Sequence, residues 1–248
     1  MGVILRAEGL RKNFGGLKAV DDVNLLVAEG EVRSVIGTNG AGKTTLFNLL
    51  TGYWSCDAGK VFWEGKDITS ASAPEIVCLG VARTFQRTNI FANLSVQENV
   101  LIPLLRRYNR SRNVVTPSNR LYRKEIDELL ENVALSEQRE CVAGTLSHGH
   151  QRCLELAIAL ANSPRLLLLD EPAAGMSVSE CAQMMELVKK INQQRGLTIL
   201  LTEHDMNVVF SLSKRITVMH LGRVIAEGTP EEIQSNREVQ QVYLGEDA

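Results

Sequence analysis

The sequence has little of what marks secreted, membrane-spanning or nucleic-acid-binding proteins. Its five cysteines are scattered, odd in number and never spaced as C-x-x-C, which favours reduced thiols over a disulfide framework or a zinc site. The N-terminus lacks the apolar core of a signal peptide, and no apolar run approaches the ~20 residues needed to span a bilayer. The net charge is only −2, so the overall charge gives no reason to expect a nucleic-acid partner. We therefore expect a chain with reduced thiols whose contact with any membrane comes through partners.

The remaining composition is that of an ordinary globular protein. Hydrophobic residues make up 44% and charged residues 23% of the 248 residues, which is enough to bury a substantial core. That length fits either one large domain or a core with an insertion.

One stretch, GTNGAGKTT at 37–45, carries the strongest chemical signal in the chain. It fits G-x-x-x-x-G-K-[ST], a phosphate-binding loop, and it lies between a strand-like run at 32–36 and a helix-like run at 46–50. Glycines let the backbone approach phosphate closely, and the following helix points its unpaired N–H groups and positive dipole end at the anion. Lys43 is expected to reach the β- and γ-phosphates, and Thr44 to offer its hydroxyl to Mg²⁺. The loop residues predicted to bind nucleotide are Gly37, Asn39, Gly40, Ala41, Gly42, Lys43, Thr44 and Thr45. The alternative is a glycine-rich turn that binds nothing, and the flanking strand and helix weigh against it.

Two acids end an apolar run later in the chain. The sequence RLLLL at 165–169 predicts a parallel strand buried on both faces, and Asp170 and Glu171 follow it. Ligands of open α/β sheets bind at the carboxyl ends of the strands. Asp170 is therefore expected to hold Mg²⁺ through water, and Glu171 to polarise a water that attacks the γ-phosphate. The alternative, an acidic loop without chemistry, is weakened by the phosphate loop.

Hydrophobic periodicity and turn residues predict the remaining elements. Alternation over 3–30 predicts short, mostly antiparallel strands with glycines at their turns, and the stretch from about 88 to 145 is typical of polar helical structure. The other predicted elements are a hairpin at 57–66, a helix at 75–79, a strand from 81, a helix at 122–133, a helix from Ser147 to 161, a helix at 178–195 stopped by Gly196, a strand at 197–202, a hairpin at 216–228, and a short acidic helix followed by a polar tail.

Four single residues have both a chemical and a plain interpretation at this stage. Phe14 either stacks on a nucleobase or belongs to the core, with the core favoured. Gln86 either ligates Mg²⁺ or positions water, or it is an ordinary surface glutamine, with the surface residue favoured. Ser147 either caps its helix or, with the N–H groups of the next turn, holds an anion. His204 follows the strand at 197–202, where a histidine is usually structural, but its place after a third element of one nucleotide site favours a functional role.

A basic run also has two interpretations. It consists of Arg106, Arg107, Arg110 and Arg112. A solvated loop is favoured, and binding of lipid head groups or an acidic partner is the alternative.

Taken together, these motifs give the chain a family resemblance. It resembles the ATP-binding subunit of ATP-binding-cassette (ABC) transporters over nearly its whole length, through the phosphate loop, Gln86, the signature LSHGH at 146–150, the strand at 166–171 and His204. It looks in particular like the first of the two ATPase subunits of branched-chain amino acid importers, a group with relatives that serve urea, amides or aromatic acids. The stretches that carry the narrower match are 13–20, 82–86, 94–100 and 170–175.

The resemblance implies a fold and a domain layout. The expected class is α/β, a P-loop NTPase (RecA-like) core with an antiparallel β subdomain and an inserted helical subdomain. The core and β subdomain would span about 1–87 and 153–248, and the helical subdomain about 88–152. The implied cofactors are ATP and Mg²⁺, and the implied enzyme is an ATPase.

The resemblance also implies roles for single residues. Phe14 would stack on adenine, and Gln86 would couple Mg²⁺ to the membrane partner. Glu171 would be the catalytic base, and His204 would contact the γ-phosphate. In addition, Ser147 and Gly149 would complete the nucleotide site of a facing subunit across a dimer.

The implied partners are two transmembrane permease subunits, a second copy or a sister ATPase, and a solute-binding protein reached through the complex, with no nucleic acid. The implied place is the cytoplasmic face of the inner membrane, as a peripheral subunit. A soluble ABC ATPase without a transport role, an importer of urea or amides, and a small-molecule kinase with the same loop are the alternatives.

Four residues depart from the family pattern. Thr38 replaces a usual proline, His148 a glycine, His150 a glutamine, and Ser177 an Asp or Asn of the dimer-contacting loop. A histidine at the start of a helix facing phosphate could weaken closure or supply a donor that titrates near pH 6–7.

Overall fold

A computed structural model describes residues 2–84, 89–108 and 122–244. Within these ranges the strands are β1 (Val3–Phe14), β2 (Leu17–Ala28), β3 (Val32–Gly37), β4 (Ala58–Trp63), β5 (Lys66–Asp67), β6 (Val81–Arg83), β7 (Leu166–Asp170), β8 (Thr198–Thr202), β9 (Arg215–His220) and β10 (Arg223–Gly228). The helices are α1 (Lys43–Leu50), α2 (Ala73–Cys78), α3 (Val96–Arg107), α4 (Arg123–Asn132), α5 (His148–Ala161), α6 (Val178–Arg195), α7 (Met206–Leu212), α8 (Pro230–Ser235) and α9 (Arg237–Leu244), with a short 3₁₀ turn at Ala143–Thr145. The α/β class predicted from the sequence is confirmed.

The central sheet has the strand order β10-β9-β3-β8-β7-β6. Its strands pair in parallel except for β10, which pairs antiparallel with β9. Every residue of β3, β7 and β8 is buried, as their continuous apolar runs predict for strands covered on both faces. The carboxyl ends of β3, β8 and β7 therefore lie side by side at one edge of the sheet.

A second, antiparallel sheet has the order β2-β1-β4-β5. The prediction of short strands over 3–30 is wrong, because β1 and β2 are single strands of twelve residues each. Gly9 was interpreted as a turn but lies inside β1, in the left-handed region (φ +56°), where the register with β2 shifts. Asp22 of β2, at the next register shift, has φ +63°. These bulges bend the paired strands without ending them. In the sequence alone, a glycine at a bulge looks the same as a glycine at a turn.

Cap and stop signals place two helix ends as the sequence predicts: Ser147 caps α5, and Gly196 ends α6 in the left-handed conformation (φ +62°). Ser177 caps α6 in a capping box with Glu180, a signal that the sequence analysis did not use. The predicted hairpin at 216–228 forms β9 and β10. The prediction that the chain ends in a polar tail is wrong. Arg237–Leu244 forms α9, and its Val239 is buried in an apolar cluster with residues of β9.

The helical segment packs onto the central sheet rather than standing apart from it. Buried residues of α3 and α4, such as Leu104 and Leu130, share one apolar cluster with Leu154 of α5 and with Leu167 of β7. Helix α5 runs through the predicted subdomain boundary near residue 152, and the boundaries of the two subdomains stay predictions.

Two arginines of the basic run are held by the chain itself. Arg106 donates from Nη2 to the carbonyl of Pro74 (3.3 Å), and Arg107 forms an ion pair with Glu125 (2.8 Å). Arg110 and Arg112 lie outside the described residues, so the choice between a solvated loop and a binding surface stays open. Within the described ranges, none of the helices is long and apolar enough to cross a bilayer.

Candidate functional site

The phosphate loop follows β3 and is shaped by close packing against two neighbouring strands. A β-carbon on Gly42 (φ +101°) would lie 2.2 Å from the carbonyl oxygen of Ala19 in β2. A β-carbon on Gly37 would lie 2.3 Å from the carbonyl oxygen of Met219 in β9. Larger residues at these two positions would force the loop away from both strands.

Lys43 is the buried cation of this loop. It is 6% exposed, and its Nζ donates to the carbonyls of Gly37 (2.7 Å) and Thr38 (3.1 Å). Burial lowers the pKa of Lys43, and the nearby charges of Glu171 and Asp170 oppose that lowering. The amine is thus held over the loop in a place where an anionic ligand would favour its charged form.

The start of α1 fits an anion with several negative charges. Among the described residues, no side chain caps this helix, and its first turn contains no acid. The helix N-terminus therefore keeps its positive end available. Asn39, Gly40 and Thr44 are exposed at the mouth of the loop. The loop supplies backbone donors, one cation and a hydroxyl, which is the donor set that a nucleotide triphosphate requires.

The strand order brings three predicted site elements to one sheet edge. β8 pairs with β3 on one side and with β7 on the other, so the loop after β3, His204 after β8 and the acids after β7 converge. Asp170 pairs in register with Thr202. The influence of the Asp170 and Glu171 charges on the pKa of Lys43 reflects the same proximity.

Asp170 is 1% exposed and both of its oxygens are engaged. Thr202 Oγ1 donates to Oδ1 (2.9 Å), and Arg83 Nη2 donates to Oδ2 (2.8 Å). A carboxylate has about four lone-pair sites, so each oxygen can still accept from a metal-bound water. Together with the exposed hydroxyl of Thr44, this hard oxygen set fits Mg²⁺, which keeps several of its waters in such sites.

Arg83 is a site residue that sequence reasoning missed. Its Nη1 also donates to Asn48 Oδ1 (2.6 Å) and Thr51 Oγ1 (3.2 Å), both on or after α1. The guanidinium therefore ties the phosphate-loop helix to the acid at the end of β7. The only signal was a charged residue in a short buried strand, and its partner became visible only through the pairing of β6 with β7.

We predict that Arg83→Met lowers the free energy of unfolding by about 3 kcal/mol, because it leaves the buried Asp170 carboxylate without its charged partner. Urea denaturation followed by circular dichroism measures this change. Lys60→Met is the matched control, since it breaks an ion pair with Asp67 whose side chains are 63% and 45% exposed. The control should change stability by less than about 1 kcal/mol. Equal effects of the two variants would contradict the bridging role of Arg83.

Glu171 and His204 form a direct contact. His204 Nε2 donates to Glu171 Oε1 at 2.7 Å. The Glu171 N–H donates to Thr202 Oγ1 (3.0 Å), and Glu171 has φ +50°, a left-handed conformation that costs a non-glycine residue about 1–2 kcal/mol. Such strain favours a position held for its side chain. The contact and the backbone conformation hold the Glu171 carboxylate in a cleft that His204 and Glu186 also line, near enough to Lys43 for its charge to affect the lysine pKa.

Glu203 is a second residue that the sequence did not single out. It is 6% exposed, and its two oxygens accept from the backbone N–H groups of Ala173 (3.0 Å) and His204 (3.3 Å). Burial raises the pKa of Glu203, and the charge of Glu171 raises it further. This carboxylate joins the segment after Glu171 to the segment that carries His204.

Phe14 lies at the end of β1 and is 43% exposed, so its interpretation as a core residue is wrong. The alternation of β1 places its side chain outside the core at the turn to β2. Its predicted contact with adenine stays a prediction. Gln86 lies outside the described residues, and its predicted roles with Mg²⁺ and the permease stay predictions as well.

The signature segment lies away from these residues. Ser147 is exposed and caps α5 by accepting from the His150 N–H (3.3 Å), as the plain interpretation predicts. A β-carbon on Gly149 would lie 2.8 Å from Glu180 Oε1, the movable end of a flexible side chain on α6. No hydrogen bond or ion pair among the described residues joins Ser147 or Gly149 to the phosphate loop. The anion contact predicted for this segment stays a prediction.

Comparison with known proteins adds independent findings. A sequence profile of the ABC transporter family matches residues 20–174, and a profile described as branched-chain amino acid ATP-binding cassette transporter matches residues 223–248. The chain is 42% identical to the high-affinity branched-chain amino acid transport ATP-binding protein BraF of Pseudomonas aeruginosa and 39% identical to LivG of Escherichia coli, which carries the same description. Each alignment covers 98% of both chains.

The fold is also similar to that of a solved ATP-binding cassette of an ABC transporter, MJ1267. The superposition has a TM-score of 0.88 at 32% identity and covers 98% of this chain and 99% of that one.

Proposed function

The chain belongs to the ATP-binding subunits of ABC transporters, and from that membership we propose that it powers an importer of branched-chain amino acids. It is an ATPase with the P-loop NTPase fold. Two findings support the substrate class: the branched-chain profile at 223–248 and the near full-length similarity to BraF and LivG. Both relatives are named as transport proteins for branched-chain amino acids.

The observation that carries the proposal is the convergence of the phosphate loop, the Asp170–Glu171 pair and His204 on three adjacent strand ends. In the proposed site, this arrangement would supply a cation, a metal-binding acid, a base and a positioning imidazole. A phosphate-binding protein without hydrolysis would have no need for a strained carboxylate in contact with a histidine.

Lys43 and the start of α1 would bind the β- and γ-phosphates of ATP. Thr44 and Asp170 would hold Mg²⁺, with Arg83 and Thr202 fixing the Asp170 carboxylate in place. When bound, Mg²⁺ would offset phosphate charge and polarise the γ-phosphoryl group. Lys43, now paired with phosphate, would keep its proton despite its burial.

Glu171 would accept a proton from the water that attacks the γ-phosphate, since its carboxylate is fixed by His204 and by the backbone of the loop. His204 is 46% exposed on its side chain, which leaves the ring able to reach the γ-phosphate while it holds Glu171. Phe14 would stack on adenine, as the resemblance implies.

The complete site would need a second subunit. Ser147 and Gly149 lie at the start of α5, and they would contact the γ-phosphate bound to a facing copy or a sister ATPase. The γ-phosphate would thus hold the pair closed, and its loss on hydrolysis would let the pair reopen. His148 and His150 are exposed at the same helix start, so they would face the nucleotide across the interface.

Membership in this family implies membrane permease partners and peripheral association with the membrane. We propose two permease subunits and a solute-binding protein, with this chain on the cytoplasmic face and Gln86 as the coupling residue. An importer of urea or amides is the nearest alternative, because the resembled subfamily includes such transporters. A soluble ABC ATPase without a membrane partner is the more distant one.

The test is purification of the tagged chain from membranes of the cells that produce it naturally, followed by reconstitution of the purified complex. We predict that two membrane subunits copurify with it and that, in proteoliposomes, a binding protein loaded with leucine raises the ATPase rate severalfold over the same protein without ligand. Urea in place of leucine is the control. Stimulation by urea alone would overturn the substrate class, and the absence of membrane subunits would overturn the importer assignment.

A further inference from the structure

The segment that joins α1 to β4 packs against the turn that carries Phe14. Within it, Trp54 meets Phe14 in an edge-to-face contact, with ring centroids 5.0 Å apart and planes inclined by 71°. This is the preferred geometry of an aromatic pair. Trp54 is 37% exposed and Phe14 43%, so the contact leaves part of each ring open to a ligand.

Asp57 of the same segment fixes the backbone next to Phe14. Its Oδ2 accepts from the backbone N–H of Asn13 (2.7 Å), and its Oδ1 accepts from Lys12 Nζ (2.9 Å). The Asp57 N–H donates to the carbonyl of Arg11 (2.8 Å). The hydrogen bond from Lys12 is the main cause that lowers the pKa of Asp57, so this carboxylate is charged at neutral pH. Asp57 therefore fixes the backbone at the end of β1, and Trp54 contacts the side-chain ring of Phe14.

The same segment is anchored to the phosphate-loop helix. The backbone N–H groups of Tyr53 (2.9 Å) and Trp54 (3.2 Å) both donate to the carbonyl of Asn48 in α1. The Asn48 side chain accepts in turn from Arg83 (2.6 Å). A short chain of contacts therefore fixes the Phe14 ring relative to the helix that binds phosphate.

We propose that Trp54 is a positioning residue for the nucleotide base, which holds the Phe14 ring at the angle that adenine requires when its phosphates occupy the loop. This inference rests on the proposed function through the assignment of Phe14 to adenine. A base gains more affinity from an aromatic face that is fixed before binding, because ordering a free ring opposes the gain. Trp54 removes that freedom.

The experiment compares ATP with tripolyphosphate, which carries the phosphates but no base, on the isolated protein by calorimetry. Trp54→Leu should raise the Kd for ATP about threefold to tenfold, the scale of an aromatic pair, and leave the Kd for tripolyphosphate within twofold. Trp54→Phe should restore most of the affinity. In steady state, Trp54→Leu should raise KM for ATP and leave kcat unchanged.

Phe14→Leu separates the two hypotheses. If Phe14→Leu weakens ATP binding and Trp54→Leu adds nothing in that background, the two rings act as one unit and the inference holds. If Phe14→Leu weakens ATP and Trp54→Leu alone does not, the inference is wrong while the adenine assignment survives. If neither variant changes the Kd for ATP, the adenine assignment itself fails.

Two other outcomes would also overturn the inference. Equal weakening of ATP and tripolyphosphate by Trp54→Leu would show that Trp54 supports α1 and not the base. An unchanged Kd with a lower kcat in the reconstituted complex would show a contact with a membrane partner.

Fluorescence gives a second readout, because Trp54→Phe leaves only Trp63 as a tryptophan in the chain, and Trp63 is 2% exposed. The emission change on adding ATP should be lost in that variant.

Discussion

Glu171→Gln is expected to lower kcat for ATP hydrolysis by about 10²–10⁴-fold, the range that a general base contributes. Glutamine keeps the size of the side chain, and its amide oxygen can still accept from His204 Nε2, so the cleft should keep its shape. What disappears is the group that takes the proton from the attacking water. Initial-rate assays of phosphate release measure this effect.

The same variant should bind ATP normally and remain as a closed pair. Because hydrolysis is what removes the γ-phosphate from between the subunits, slowing it should shift the protein from monomer to dimer when ATP is added, as measured by light scattering after size-exclusion chromatography. Where the natural partner is a sister ATPase, that protein is added too. Glu186→Gln is the matched control, since Glu186 lies exposed on α6 along the same cleft. Normal turnover in Glu171→Gln would remove Glu171 from the role of base.

Lys43→Met should weaken ATP binding by about 10–100-fold, because a hydrogen bond to a charged group contributes about 1.5–3 kcal/mol. Methionine replaces the length of the stem but carries no charge. Calorimetric titration of ATP measures the loss, and Lys60→Met, on the exposed face of β4, is the control for removing a surface cation. An unchanged dissociation constant would refute the assignment of this loop to phosphate.

The empty protein should not lose stability in Lys43→Met, which separates the binding effect from unfolding. Burial lowers the pKa of Lys43 below its value in the unfolded chain, so the charged amine costs the folded state free energy. That cost is fully present below the folded pKa and fades as pH rises toward the unfolded pKa. At neutral pH the relief of this cost should offset the loss of the hydrogen bonds from Lys43 to the Gly37 and Thr38 carbonyls, so the variant should unfold at a urea concentration close to that of the unchanged protein.

Local signals predicted the parts of the fold that depend on short stretches. The phosphate loop, the strand before Asp170 and both ends of α6 follow from residue types at fixed offsets, and the structure has them where expected. Helix α6 begins at Val178 as its periodicity predicts, and Gly196 ends it in the left-handed conformation that glycine adopts without penalty. The structure of such elements is determined mainly by residues within the same short stretch of sequence.

Features that depend on distant partners were missed. The length of β1 and β2 is set by their mutual pairing, which continues through the bulge at Gly9. The Arg83–Asp170 pair joins residues 87 positions apart and follows from the placement of β6 beside β7. The exposure of Phe14 likewise depends on where the twelve-residue strand ends. Sequence patterns identify which residues can form such contacts, and the sheet order decides which of them do.

The left-handed backbone at Glu171 has a consequence for how this protein can change over evolutionary time. Glycine adopts that conformation without penalty, so Glu171→Gly would relax the chain locally while deleting the carboxylate. Selection for thermal endurance alone would therefore erode the acid, and only selection for turnover retains it. At position 171, selection for stability thus favours glycine, and selection for ATP hydrolysis favours glutamate.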